Sequence, residues 1–272
     1  MRNYQREKKI YCGAGNTPDY MEVDIYQYTD NQKAAVKGKR AKKEKVSAPK
    51  QKNLNDKNAK RYFVQLAEAN FGSDDLAVHL SYADEHLPAT PEEAHAIAIT
   101  YLRRVAYRRS KEGLSPLKYL LVTQIGRKKQ GTHRIHHHIL MNGGLDRDAV
   151  EEMWWKIKGT KKRKPVMYGW ANADRLRPNK KGISQMAGYI IKDSMGKKHW
   201  TQSQNLIKPW SRTNDYKYSR RQLLKVAEMP IDSEQHRLYW ESQYKGYELT
   251  EASRIYNENT GWAFYLKLRR RN

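Results

Sequence analysis

Two histidines lie two positions apart in the segment RIHHHILM and could chelate a divalent metal ion. Successive side chains of an extended strand point to opposite faces, so His136 and His138 would share one face and His137 the other. Neutral imidazole suits Mn, Co, Ni and Zn, and a site with few protein ligands leaves positions for water or a phosphate oxygen. The alternative is that these are ordinary core or surface histidines of a strand.

A β-hairpin places a third candidate ligand beside this pair. The segment LKYLLVTQIG (117–126) has the β-branched and aromatic composition of a strand, and RKKQGT is a polar, glycine-containing turn. If the turn is centred near Gln130, Gln124 lies opposite His136 on the same face. This predicts Gln124 as an oxygen ligand. A bulge would shift the register and leave it a solvent-facing glutamine.

A tyrosine and a lysine are spaced for nucleophilic chemistry on a helix. Of nineteen tyrosines, only Tyr189 has a lysine, Lys192, three residues later. The surrounding apolar residues follow helical spacing and predict one buried stripe: Ile183, Met186, Ala187, Ile190 and Ile191. Tyr189 and Lys192 fall off that stripe as neighbours, so the ammonium could neutralise charge on a phosphate that the phenol attacks. The alternative is an exposed pair without chemistry.

These segments occur in an order that resembles the three motifs of the HUH endonucleases. LAVHLSYADEH (76–86) resembles the first motif through Leu80, Ser81 and Tyr82; RIHHHILM resembles the second and GYIIKD the third. The chain is most similar to the single-tyrosine rolling-circle replication initiators of bacterial phages and plasmids. It departs from their pattern in having His137 between the two histidines and Gln124 where the family has an acidic residue.

The resemblance implies a fold, a reaction and partners. The fold is α+β, with a central antiparallel sheet that carries the histidines and flanking helices. The reaction is metal-dependent nicking and rejoining of single-stranded DNA through a 5′-phosphotyrosine, with Mn²⁺ or Mg²⁺ as the cofactor expected. The catalytic residues would be Tyr189 and Lys192, with Ser81 and Tyr82 supporting the site. Single-stranded or hairpin origin DNA, a host helicase and a polymerase would be partners.

Two other functions remain open at this point. A conjugative relaxase or a transposase would share the same site but serve mobilisation. A non-catalytic basic protein that binds nucleic acid would use the histidines only structurally. Metal-dependent cleavage of single-stranded DNA distinguishes the enzymes from the binding protein.

The composition agrees with a nucleic-acid partner. The 272 residues carry a net charge of +24, from 53 basic and 29 acidic side chains, which favours a polyanion. A long apolar run and a secretory leader are both lacking, so we expect no membrane association and a bacterial cytoplasm. Cys12 is the only cysteine, which excludes an intrachain disulfide and fits a reducing compartment. The sequence contains no G-x-x-x-x-G-K-[ST] motif, so we predict no P-loop ATPase in this chain.

Basic side chains mark candidate DNA contacts along the chain. The helical pattern from Thr90, an N-cap candidate, to Lys111 carries arginines on its polar face. TKKRK (160–164) is predicted as an exposed basic loop. Candidates for phosphate contact are Arg103, Arg104, Lys128, Lys129, Lys161, Lys162 and Arg163.

Composition divides the chain into four segments. Residues 1–31 contain a strand, YMEVDIYQY. Residues 32–60 are predicted as a basic flexible linker, which either contacts phosphates or only increases solubility. Residues 61–200 form the endonuclease core, in which a second helix begins near Asp146 and ends at Gly159. Residues 201–272 contain a helix at 220–228 and two short strands around an Asn-rich turn. We expect 261–268 to pair with YMEVDIYQY in a small accessory sheet.

Overall fold

The computed structural model describes residues 3–36, 49–126, 134–192 and 199–271. They form two compact units. One comprises Met1–Asn53 together with Ile207–Asn272, and we call it the terminal unit. The other comprises Leu54–Leu206, and we call it the histidine unit because it contains RIHHHILM. The protein is therefore α+β, with one five-stranded antiparallel sheet in each unit.

The sheet of the histidine unit has five strands in the order β8-β3-β5-β4-β9, and every neighbouring pair is antiparallel. The strands are β3 (Leu76–Ser81), β4 (Tyr119–Gly126), β5 (Arg134–Met141), β8 (Ala171–Arg175) and β9 (Thr201–Gln202). β5, which carries the histidines, is the central strand. A separate two-stranded hairpin joins β6 (Trp155–Ile157) and β7 (Val166–Met167).

Helices cover both faces of this sheet, because its strands alternate buried side chains toward two different cores. On one face, Val78, Leu121 and Ile139 pack with buried residues of α3 (Pro91–Lys111) and α4 (Arg147–Glu152). On the other, Leu120, Val122 and Leu140 pack with α2 (Pro49–Asn70) and α5 (Ser184–Lys192). The His136/His138 side of β5 belongs to the second face.

Helix α3 begins at the N-cap that the sequence predicts. Thr90 is its N-cap, and the Thr90 side chain accepts a hydrogen bond from Glu93 N at 3.1 Å. Pro91 occupies the first turn, where its missing N–H costs nothing. The Glu93 carboxylate accepts from Ala89 N at 2.9 Å, so it binds the amide one residue before the N-cap instead of closing a capping box.

The terminal unit is a second five-stranded sheet in the order β10-β1-β2-β12-β11. Its strands are β1 (Asn3–Cys12), β2 (Tyr20–Thr29), β10 (Trp210–Tyr218), β11 (Tyr247–Asn257) and β12 (Gly261–Arg270). Its helices are α1 (Asp30–Val36), α6 (Arg220–Glu228) and α7 (Glu234–Gln243). Val23, Phe264, Leu223 and Trp240 belong to one core, which therefore joins the sheet to α6 and α7.

The predicted pairing of the two ends of the chain is confirmed. β12 pairs antiparallel with β2, with Phe264 opposite Ile25 and Leu266 opposite Val23. The sheet is larger than predicted, because β1 and β10 extend it and β11 and β12 are long. Helix α6 spans the predicted residues 220–228.

Two sequence expectations are corrected. The described parts of the predicted linker are helical: residues 32–36 belong to α1 and 49–60 form the first half of α2, while 37–48 lie outside the described residues. The helix after β5 ends at Glu152 instead of Gly159. It stops early because Trp154 turns into the core, where it is fully buried and its Nε1–H donates to Ser81 O at 2.8 Å.

Candidate metal and tyrosine site

Three histidines form a cluster on one face of the sheet. His136 and His138 project from β5, and His79 projects from β3 directly opposite His138. The ring centroids lie 5.4 Å apart for His79 and His136, 4.9 Å for His79 and His138, and 5.2 Å for His136 and His138. One ligand nitrogen from each ring lies within 4.8 Å of the other two. This arrangement fits a single metal ion.

The cluster favours neutral imidazoles, which is the form that binds metals. Partial burial lowers the pKa of His79 and His136, and for His79 the neighbouring His136 lowers it further. Burial, reinforced by His79 and His136, lowers the pKa of His138 to about 4. At neutral pH each ring therefore keeps a lone pair for a ligand bond.

The middle histidine, His137, faces the opposite core. It is fully buried. Tyr82 Oη lies 2.9 Å from its Nε2 and Thr123 Oγ1 lies 3.0 Å from its Nδ1, so both ring nitrogens have hydroxyl partners. Burial lowers its pKa to about 3. His137 therefore takes no part in the cluster of His79, His136 and His138.

Gln124 lies where the hairpin register predicted it, opposite His136. Its Oε1 is 3.0 Å from His136 Nε2, and its Nε2–H donates to Ile190 O of α5 at 2.5 Å. The side chain is buried. One amide thus joins the histidine strand to the tyrosine helix. A carboxylate could not donate the bond to Ile190 O, so this contact requires the amide.

Tyr189 projects from α5 beside the histidines. The predicted stripe packs into the core, whereas the Tyr189 side chain is 71% exposed. Its ring centroid lies 6.5 Å from that of His138. Lys192 ends the same helix and is exposed. The structure therefore brings a solvent-accessible phenol, a lysine-bearing helix end and the histidine cluster into one region.

Helix α2 holds α5 at both ends. Glu68 Oε1 accepts from Ile183 N at 3.0 Å and from Ser184 Oγ at 2.6 Å, at the start of α5. Lys60 Nζ donates to the carbonyl of Lys192 at 2.8 Å, at its end. A carboxylate at the N-terminus and an ammonium at the C-terminus both complement the helix dipole. α2 is therefore a framework for the tyrosine helix, which the linker prediction did not anticipate.

An exposed tryptophan adjoins the cluster. Trp170 is 62% exposed, and its rings lie 6.1 Å from the His79 ring. Its carbonyl accepts from Ser81 N at 2.9 Å and from Ser81 Oγ at 3.2 Å. A Cβ on the preceding Gly169 would lie 2.5 Å from Ser81 O, so only glycine permits this close approach. The backbone beneath Trp170 is thereby fixed against the end of β3.

Ser81 and Tyr82 have supporting positions. Ser81 lies opposite His136 and binds the Trp170 backbone. Tyr82 is buried on the back face beside His137. Burial raises the pKa of Tyr82 well above its usual value, and its hydroxyl donates to Ala94 O at 3.3 Å, so Tyr82 packs beside the site.

The predicted DNA contacts differ in availability. Arg103 is exposed, as are Lys161, Lys162 and Arg163 in the turn between β6 and β7. Arg104 is different: its Nη1–H groups donate to Met153 O and Trp155 O, and its guanidinium lies 3.4 Å from the Trp155 ring centroid. Arg104 therefore supports the β6–β7 hairpin. Lys128 and Lys129 lie outside the described residues.

Sequence reasoning missed His79 and Trp170. His79 lies two residues before Ser81, so strand alternation puts both on one face. That signal existed in LAVHLSY but became informative only with the register between β3 and β5. Trp170 had no comparable signal.

Comparison of the chain with protein-family models, with curated proteins and with solved structures finds no match. No helix in the described parts of the chain combines the length and apolar character needed to span a bilayer. A function is therefore inferred from the chain's own residues alone.

Proposed function

We propose that this protein is a single-tyrosine HUH endonuclease that nicks and rejoins single-stranded DNA to initiate rolling-circle replication. The observation that carries the proposal is the exposed Tyr189 ring, 6.5 Å from His138, beside three clustered imidazoles. The order of the three motifs supports it further. The net charge of +24 supports a nucleic-acid substrate.

The donor set fits a metal ion. His79, His136 and His138 would hold it, with Gln124 Oε1 as the predicted oxygen ligand. Three nitrogens favour a first-row transition ion such as Mn²⁺ or Zn²⁺ over Mg²⁺, which prefers oxygen. When bound, the ion supplies Lewis-acid polarisation of the scissile phosphate.

Tyr189 would perform the covalent step. Its phenolic oxygen attacks phosphorus in line with the 3′ oxygen, so that the tyrosine–phosphorus bond forms as the P–O3′ bond breaks. The phenol proton passes to solvent, and the departing 3′ oxygen takes a proton from solvent. The products are a 5′-phosphotyrosine and a free 3′-hydroxyl, which can prime a polymerase. Attack by a 3′-hydroxyl on the phosphotyrosine reverses the reaction and rejoins the strand.

Other residues would position the strand. Lys192, one turn from Tyr189, can neutralise charge on the phosphate. Trp170 offers an exposed aromatic face on which an unpaired base can stack beside His79. The basic turn at Lys161–Arg163 adds phosphate contacts that lose strength as salt rises.

The test is formation of a covalent protein–DNA adduct. Purified protein is mixed with labelled single-stranded origin-region DNA from its own genetic element, and with a pool of varied single strands, with or without Mn²⁺. We expect a denaturation-resistant adduct with wild type and none with Tyr189→Phe, because only the phenol can form the phosphotyrosine. DNA binding by Tyr189→Phe should stay near wild type.

The matched control is Tyr107→Phe, which removes another exposed phenol of the histidine unit. It should form adducts like wild type. Tight binding without an adduct on any strand would contradict the proposal and favour a non-catalytic binding protein. Adducts that persist in Tyr189→Phe would remove Tyr189 from the site.

A further inference from the structure

Two adjoining cavities lie in the terminal unit. One has a volume of about 430 Å³ and the other about 390 Å³, and Gln5 and Arg220 line both. Each is within the size range of small-ligand sites. Because they share two wall residues, the cavities lie side by side where β1 and α6 begin, and we call the pair the trough.

The walls are aromatic. Tyr256 and Trp262 face each other across β11 and β12, with ring centroids 5.1 Å apart, and line the larger cavity. Tyr216, which is 79% exposed, lines the smaller cavity with Tyr4. Exposed aromatic rings bind the flat faces of nucleobases by stacking, whatever the base. A trough with rings in both compartments fits successive unpaired bases.

Two arginines supply positive charge at the same place. Arg220 and Arg221 are exposed in the first turn of α6, which has no acidic residue. Neither forms an ion pair or hydrogen bond within the described residues, whereas Arg6 and Arg271 bind Asp215 and Glu241. Cations at a helix N-terminus oppose the helix dipole. An anion between them would relieve that repulsion, and a phosphate has the required charge.

Gln5 gives an independent indication of a ligand. Its side chain is only 8% exposed, and its Oε1 is buried with no hydrogen-bond partner in the described structure. Buried amide oxygens are nearly always satisfied, so an unpartnered one in a cavity wall is unusual. A glutamine amide can both donate to and accept from the edge of a base.

We propose that this trough binds a single-stranded segment of DNA, as a second nucleic-acid site on the protein. Bases stack on Tyr256, Trp262 and Tyr216. Phosphates lie at Arg220 and Arg221, and the Gln5 side chain forms part of the wall that the two cavities share. The proposal does not depend on the nicking chemistry, because none of these residues belongs to the histidine unit.

Photo-crosslinking locates the site directly. Full-length protein is irradiated with single strands containing 5-iododeoxyuridine, with a chelator present so that no metal-dependent cutting occurs, and the adducts are mapped by mass spectrometry. We expect crosslinked peptides containing Tyr216, Tyr256 or Trp262. Crosslinks confined to residues 54–206 would overturn the proposal, whatever the outcome of the nicking assay.

Binding titrations with the same strands test the separate contributions. Tyr256→Ala should weaken binding about five- to ten-fold because a stacking surface is lost. Ile255→Ala is the matched control, since it truncates the exposed neighbour on the same strand that does not line the trough. Equal affinities for the two variants and wild type would contradict base stacking at Tyr256.

The salt dependence of binding tests the phosphate contact. Arg221→Gln should lower the slope of log K against log salt by about 0.7, the value for one phosphate contact on a single strand. Lys245→Gln, an exposed cation outside the trough, should leave the slope unchanged. An unchanged slope for Arg221→Gln would remove that residue from the site.

Discussion

The two faces of β5 use the same residue type for different purposes. On one face, His136 and His138 are half-buried and lie within a cluster of ligand nitrogens. On the other, His137 is fully buried and has a hydroxyl partner at each ring nitrogen. Adjacent histidines therefore differ in role because alternation of the strand gives them different surroundings. The face, and not the residue type, identifies the candidate ligands.

The largest expected loss of nicking comes from the face of β5 that carries His136 and His138. We expect His138→Ala to lower the nicking rate by about a thousand-fold or more, since loss of metal-ion stabilisation is worth several kcal/mol. The fold should survive, because the side chain is half-buried. Adduct formation and circular dichroism on the same preparation measure both quantities. Nicking at the wild-type rate would show that the two faces do not differ in function.

The back face should respond in stability instead. His137→Ala should lower the free energy of unfolding by about 3 kcal/mol, because it leaves a cavity and removes one hydrogen-bond partner from each of Tyr82 and Thr123. Urea denaturation measures this loss. At a temperature where the variant is folded, it should still nick DNA. A loss of nicking as large as that of His138→Ala would show that the two faces of β5 do not differ in function.

Substitution of His79 tests whether a residue of β3 contributes a metal ligand in addition to those of β5. His79→Ala should weaken metal binding by about a hundred-fold if the imidazole is a ligand, which corresponds to about 2.7 kcal/mol. His86→Ala removes a histidine outside the cluster and serves as the control. Calorimetric titration with Mn²⁺ or Zn²⁺ provides the affinities. Equal affinities would restrict the ligand set to β5 and Gln124.

The pH dependence of the free energy of unfolding tests whether His137 is buried in its neutral form. The folded pKa of His137, about 3, lies below the unfolded value of 6.5, so only the unfolded chain takes up this proton between those limits. His137 therefore makes stability fall as the pH drops below 6.5 and contributes no dependence above it. In metal-free protein, His137→Leu should reduce the slope below pH 6 by about 1.4 kcal/mol per pH unit. Parallel curves for wild type and variant would contradict the burial argument.

Local sequence periodicity predicted which face of its strand or helix most of the candidate site residues occupy. Two-residue alternation placed His136 and His138 on one face, and a turn assumed near Gln130 predicted Gln124 opposite His136, as the strand register has it. Helical spacing put Tyr189 on the exposed side of α5. His79 could not be assigned in this way, because the register between β3 and β5 is set by tertiary packing of segments far apart in sequence. The distance between Tyr189 and His138 likewise depends on how α5 packs against the sheet.

The missed elements of the fold are mostly polar. The first half of α2 and much of β1 carry many charged or amide side chains, so their patterns resembled a linker or gave no signal. Tertiary partners stabilise them: β1 pairs along its length with β2, and α2 buries Phe63 and Leu66 in the core below α5. By contrast, the long amphipathic α3 was predicted almost completely.

The bonds that hold α5 at both ends have a thermodynamic consequence for metal binding. Glu68, Lys60 and the Gln124 amide fix the helix through its backbone, and none of these bonds to α5 involves a histidine of the cluster. The frame is thus formed without an ion, so binding of an ion would order little additional chain and would bury little additional apolar surface. Calorimetry at several temperatures should accordingly give a binding enthalpy that hardly changes with temperature, unlike that of a domain that folds around its metal.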